Sequence, residues 1–218
     1  MSPIQIVVMA MFFAVSVWAA EGFRLSKALL NSIEKRYGES ARVRVSEWEE
    51  LVLAGRVDMN LSDKEKMIQA NDYFNQIEWL SDQEHWGVED YWATPIETLA
   101  TNGGDCEDFS IGKYISLKHM NLDQSKLRIT YVKSLTFNQA HMVLAYYETP
   151  DAEPLILDNI NKRILPASQR NDLLPIYSFS GNSIWLAQER GRKLKADSMV
   201  SLPQWRSVNE RIDLELSE

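Results

Sequence analysis

The chain carries a single cysteine, Cys106, set in the run Gly103-Gly104-Asp105-Cys106-Glu107-Asp108. A glycine pair lets the backbone turn sharply, and Phe109, Ile111, Tyr114, Ile115 and Leu117 then place apolar faces on a helix. That helix is predicted to run from about Asp105 or Cys106 to about His119. The thiol would stand at its N-terminus, where unpaired N–H groups and the positive end of the dipole favour a thiolate. His141 and Asp158 follow in that order, one near the start of a predicted strand and the other at the end of the next. If those strands are antiparallel neighbours, the two side chains face each other at one end of a sheet, with the helix packed there. A Cys–His–Asp set needs this convergence. The histidine deprotonates the thiol, and the carboxylate fixes the imidazole tautomer and stabilises its cation. Each residue also has a plainer role. A lone cysteine is often a buried hydrophobe, a lone histidine a satisfied core or surface residue, and Asp158-Asn159-Ile160-Asn161 is good turn chemistry.

Asp105, Glu107 and Asp108 crowd the candidate nucleophile with negative charge. Helix-dipole compensation and N-capping account for carboxylates in this position. Yet like charges raise a thiol's pKa and oppose the helix-terminus effect. A hard divalent cation held by carboxylate oxygens would neutralise them, and outside the cytoplasm that cation is calcium.

The elements that must position these residues read as helices first and strands later. Leu25, Leu29, Leu30, Ile33 and Tyr37 recur at helical spacing, and Gly38 can end that helix. Ser46 with Glu49, and Ser62 with Glu65, have the spacing of capping boxes; Thr94-Pro95-Ile96-Glu97 restarts a helix with proline at its first position. Residues 76–94 form an irregular stretch with three tryptophans, Trp79, Trp86 and Trp92. Trp86 and Trp92 would either line a substrate groove or anchor the loop by packing. Leu127 to Val132, Ala140 to Tyr147, Leu155 to Asp158, Ile176 to Phe179 and Ile184 to Leu186 read as strands, and the acidic C-terminal tail as a surface helix or disorder. The expected fold class is α+β, with N-terminal helices packed on an antiparallel sheet and the nucleophile at a helix N-terminus.

Composition sets the frame. The chain has 218 residues, 45% hydrophobic and 25% charged, with a net charge of −8. No Lys/Arg-rich run occurs, which argues against a nucleic-acid partner. One cysteine excludes a disulfide-dependent fold. From Pro3 to Ala20 there is no charge, and Ile4 to Val15 reads as the apolar core of a signal peptide, with Val17 and Ala19 small enough for cleavage before Ala20-Glu21. Its length also suits an uncleaved membrane anchor, and a buried core helix is a third alternative. The expected organisation is therefore 1–20 as signal peptide or N-terminal anchor and 21–218 as a single domain across a membrane.

Gly103-Gly104-Asp105-Cys106-Glu107-Asp108-Phe109-Ser110, with Trp86-Gly87-Val88-Glu89-Asp90-Tyr91-Trp92-Ala93-Thr94-Pro95 upstream, resembles the bacterial transglutaminase-like cysteine proteinases. Ala140-His141-Met142-Val143-Leu144 and Leu157-Asp158-Asn159 match that family's histidine and aspartate blocks in the same order, and the likeness covers most of residues 23–190. The resemblance implies a papain/transglutaminase-like core and a Cys106–His141–Asp158 triad. More narrowly the chain is similar to the periplasmic, calcium-dependent members that control biofilms. This implies cleavage of a large surface adhesin near its N-terminus at a paired-alanine site. It also implies sequestration by the periplasmic domain of an inner-membrane cyclic-di-GMP receptor. Calcium is then expected on Asp105 and Glu107, because the intervening Cys106 points elsewhere. Asp108 is a further candidate, as are Asp82, Glu84, Glu89 and Asp90 in the preceding loop. The Cys106 backbone N–H is the natural oxyanion donor. Two other functions share these features: a transglutaminase-like acyl transferase working through the same thioester, and a non-catalytic calcium- or adhesin-binding module. Intact Cys106, His141 and Asp158 count against the module.

Overall fold

The computed structural model describes residues 23–181, 183–187, 192–193 and 202–217. The expected signal or anchor segment, 1–20, lies outside the described residues, as does Asn182, between the expected strands Ile176 to Phe179 and Ile184 to Leu186. Among the described residues no helix is long and apolar enough to cross a membrane.

Three helices open the chain: α1 (Lys27–Tyr37), α2 (Glu39–Val57) and α3 (Asp63–Phe74). The Ser26 hydroxyl accepts the Leu29 N–H at the start of α1, and Gly38, at φ 90°, ends it and redirects the chain into α2. Ser62 and Glu65 form the expected capping box on α3. Ser46 and Glu49 do not form one. They lie inside α2, whose fully buried Ala41, Val45, Trp48 and Val52 start the apolar stripe well before Ser46. The buried Glu49 carboxylate instead accepts the Leu25 N–H at 2.8 Å, joining the N-terminal segment to α2.

A short parallel pair, β1 (Glu78–Trp79) with β2 (Gly103–Gly104), brackets α4 (Asp82–His85) and α5 (Pro95–Thr101). Helix α5 carries the Thr94/Glu97 capping box with Pro95 at its first position. Then comes α6 (Cys106–His119), the centre of the fold: its residues 108–117 are all buried. Gly112 is required there, since a Cβ would land inside the Phe74 ring of α3. Trp48 of α2 donates from Nε1 to Ser116 Oγ at 2.8 Å.

The rest of the core is a sheet of β3 (Leu127–Ser134), β4 (Gln139–Tyr146), β5 (Leu155–Leu157), β6 (Leu165–Pro166), β7 (Leu173–Ser180), β8 (Ser183–Leu186) and β9 (Arg192–Lys193). All its pairings are antiparallel, in the order β6-β5-β4-β3-β7-β8-β9. The expected strands are present, and β6 and β9 extend the two edges. The α+β expectation holds, with α6 packed against β4 and β3. The C-terminal tail is a docked helix, α7 (Pro203–Glu215), not a loose surface element. Trp205, Val208 and Ile212 are buried, and the Trp205 ring meets Tyr114 of α6 at 5.5 Å and Phe179 of β7 at 5.1 Å. One hydrophobic cluster thus runs from Phe23 to Ile212.

Candidate active site

The glycine pair before Cys106 works by close approach rather than by a sharp turn. Neither glycine has a positive φ; the left-handed residue is Asn102, at φ 56°. A Cβ on Gly103 would meet the His85 ring at 2.5 Å, and one on Gly104 the Asp108 carboxylate at 2.7 Å. Absent side chains let β2 lie against α4 and the head of α6. Asp108 is fully buried and spends both oxygens on backbone: Oδ1 accepts the Ala93 N–H at 2.7 Å and Oδ2 the Asp105 N–H at 3.2 Å. It is a capping carboxylate that ties the loop before α5 to the first turn of α6.

Cys106 is the first residue of α6, and its Sγ donates to Glu107 Oε2 at 3.0 Å. Burial pushes the thiol well above its ordinary range, and the Glu107 and Asp105 charges push it further; the facing Met142 backbone pulls the other way. His141 and Asp158 come together as expected, because β4 and β5 are antiparallel neighbours. His141 Nε2 lies 2.8 Å from Asp158 Oδ1, with both side chains buried. Burial alone would raise the Asp158 carboxyl. The His141 and Ile160 N–H hydrogen bonds and the Arg170 guanidinium outweigh it and hold the group well below the usual carboxylate range. Cys106 and His141 line one cleft of about 480 Å³, walled also by Trp92, Tyr131, Met142 and Tyr177. The Tyr131 and Tyr177 rings stack at 5.2 Å. Trp92 does both jobs open to it, stacking on Phe179 at 5.8 Å while facing the cleft. Trp86 packs instead against His85 and Tyr91.

The acidic residues converge beside the thiol. Carboxylate oxygens of Asp82, Asp90 and Glu107 lie within 4.8 Å of one another, and those of Asp82, Asp105 and Asp108 do likewise. Asp82 and Asp90 therefore join Asp105 and Glu107, while Glu84 is turned to the Ser81 hydroxyl at 2.7 Å. Burial, followed by the Glu107 charge, pushes Asp105 up to about 9; burial raises Glu107 and Asp82 as well. Asp82 Oδ1 and Asp105 Oδ1 are buried without a hydrogen-bond partner. Orphaned carboxylate oxygens in a buried acidic cluster are donors of the kind a hard cation could take. The loop bearing Asp90 is clamped by α7. Gln204 Nε2 donates to Asp90 Oδ2 at 2.8 Å, and Arg211 holds the Glu97 carboxylate, the Tyr91 hydroxyl and the Trp92 carbonyl.

Arg170 belongs to the site too, and the sequence reading passes over it. It sits in the polar stretch Ser168-Gln169-Arg170-Asn171-Asp172, which has no signal beyond that of a loop. Its Nη2 donates to Asp158 Oδ2 at 2.7 Å.

A thiol heading a buried helix that packs on an antiparallel sheet, beside a His–Asp pair, is the arrangement of the papain-like thiol hydrolases. The chain belongs to the bacterial transglutaminase-like cysteine proteinases, whose family profile matches residues 48–186. It is similar to LapG of Legionella pneumophila in three solved forms. The EGTA-treated form is 36% identical, with a TM-score of 0.73 over 87% of this chain and 98% of that one. A second form is 38% identical, with a TM-score of 0.72 over 87% and 98%. The calcium-bound form is 38% identical, with a TM-score of 0.71 over 84% and 97%. Among curated proteins none is similar enough to count as a match.

Proposed function

We propose that this cysteine protease is a calcium-dependent endopeptidase working through Cys106, His141 and Asp158. Its substrate in this reading is the N-terminal region of a large surface adhesin. The cut falls in the periplasm, releases the adhesin and disperses the biofilm, and the periplasmic domain of an inner-membrane cyclic-di-GMP receptor holds the enzyme in check. The observation that carries the chemistry is the buried His141–Asp158 pair, whose histidine lines the cleft that holds the helix-head thiol. Likeness to a LapG solved both calcium-bound and EGTA-treated supports the metal.

The roles follow from the contacts. Asp158 accepts from His141 Nε2–H, which leaves Nδ1 as the base. The thiol proton passes to His141 Nδ1, and the sulfur becomes the nucleophile. Sulfur bonds to the scissile carbonyl carbon, and the oxyanion forms beside the Cys106 backbone N–H at the head of α6. Imidazolium then protonates the departing amine, leaving a thioester. Water, deprotonated by His141, attacks that thioester and frees the new carboxyl end and the thiol. Asp82, Asp105 and Glu107, with Asp90, are the residues that would hold calcium, and the orphaned Asp82 and Asp105 oxygens fit it. Bound calcium supplies positive charge that offsets the carboxylate pressure on the thiol. Cleavage of a paired-alanine adhesin fragment, with calcium or with a chelator, is the test, with Cys106→Ala as blank. Cutting that needs both thiol and calcium is expected. Cutting that survives the chelator would return Asp105 and Glu107 to helix capping, and cutting by Cys106→Ala would end the protease reading.

A further inference from the structure

The His141–Asp158 pair is one end of a longer chain of contacts. Asp158 Oδ1 serves His141 at 2.8 Å and the Ile160 N–H at 3.0 Å, while Oδ2 is taken by Arg170 Nη2 at 2.7 Å. Arg170 is itself gripped by Asp172, Nε to Oδ1 at 2.9 Å and Nη2 to Oδ2 at 2.7 Å. The Arg170 side chain is 2% exposed and that of Asp158 0%, while Asp172 stands at 38%. A buried carboxyl torsion is soft, with broad two-fold minima, so an oxygen with no partner lets the group swing. Lys113 and Lys162 do not fix it, because their Nζ atoms donate to Asn75 Oδ1 and to the Asn75 carbonyl, and Lys113 reaches Asp158 only through space. Asn75 Nδ2 holds the Asp158 backbone carbonyl at 3.1 Å, which fixes the main chain but not the carboxylate.

We propose that Arg170 is a positioning residue: it locks the Asp158 carboxylate with one oxygen on His141, and Asp172 locks Arg170 in turn. The inference rests on the protease reading of the site. Guanidinium is planar and forked, so it can serve Asp158 and Asp172 together; a lysine at this position reaches one of them. Arg170 touches neither thiol nor substrate, so its loss acts through His141 orientation and falls on kcat rather than KM.

The experiment pairs kinetics on the adhesin fragment with the low-field proton resonance of the His141 Nε2–H, assigned by its loss in His141→Ala. Arg170→Met should broaden or lose that resonance and lower kcat by on the order of 10²-fold with KM held within about twofold. Arg170→Lys should fall between it and the parent. Asp172→Asn alters a half-exposed residue away from the cleft and serves where Arg170→Met does not fold. It should weaken the same resonance and lower kcat several-fold. A resonance and kcat unchanged in Asp172→Asn, or in a folded Arg170→Met that only melts lower, would overturn the proposal and leave Arg170 a structural residue. Absence of cleavage by the parent protein would sink the protease reading alone, because the resonance still reports whether Arg170 positions the pair.

Discussion

Lys113 lies in the middle of α6 with its amine buried, and Nζ donates to Asn75 Oδ1 at 2.8 Å. Burial pulls the amine down to about 7, with the nearby Asp158 charge acting against that shift. In the unfolded chain the same amine titrates near 10.4. Between those values the unfolded state holds a proton that the folded state has released, so stability rises with pH across this window. The benefit is complete above the unfolded value and lost as pH falls through 7. Stepping from pH 7 to pH 9 should therefore add roughly 2 kcal/mol from this one group, using 1.36 kcal/mol per unit less the part of the folded titration still to be completed above pH 7. Lys113→Met removes the titration while keeping the length of the side chain. Urea unfolding of both proteins at the two pH values gives the difference of differences, which cancels every other titrating group. Parallel pH dependence in parent and variant would refute the reasoning and place the amine in water or in a full ion pair.

Gly112→Ala should cost about 1–3 kcal/mol in urea unfolding, because its Cβ enters the Phe74 ring, and a second change, Phe74→Leu, should recover part of it. A cost that Phe74→Leu leaves untouched would place the clash elsewhere. His119, pulled down to about 4 by burial and then by Lys118 and Arg56, stays neutral in the fold while its unfolded form charges below about 6.5. The parent should lose about 1–2 kcal/mol between pH 6.5 and 4, discounted for partial exposure, and His119→Gln should flatten that limb; identical acid limbs would count against it. Calcium at about 100 times its dissociation constant should add about 2.7 kcal/mol of stability, read as a higher Tm than in chelator. Asp82→Asn should remove most of that difference, and equal melting with and without chelator would empty the acidic cluster of its metal role.

The caps were the most legible part of the fold. Ser62–Glu65 and Thr94–Glu97 are local devices, complete within four residues, so spacing alone finds them. Ser46–Glu49 has the same spacing, but Glu49 is drawn to the Leu25 backbone, a contact that local spacing does not carry. The docking of α7 was hidden for a related reason: Trp205, Val208 and Ile212 show a helical stripe, yet only the fold supplies Tyr114 and Phe179 for it to meet. Within the site, the unique cysteine after a glycine pair and the strand order made Cys106, His141 and Asp158 candidates only weakly, and the family resemblance of their flanking residues is what singled them out. The purpose of those glycines could not, since it depends on His85 and Asp108 arriving from elsewhere. Asp82 and Asp90 were two acids among four in one loop until geometry separated them from Glu84. Arg170 had no sequence signal, because its function is created by where Asp158 and Asp172 place their oxygens.

The most direct measurement is mass analysis of the enzyme quenched in acid during turnover of the adhesin fragment. Expected is an acyl adduct on the peptide carrying Cys106, released by hydroxylamine and absent from Cys106→Ala and His141→Ala. Continued turnover with an unmodified Cys106, or an adduct on another residue, would contradict nucleophilic catalysis by this thiol.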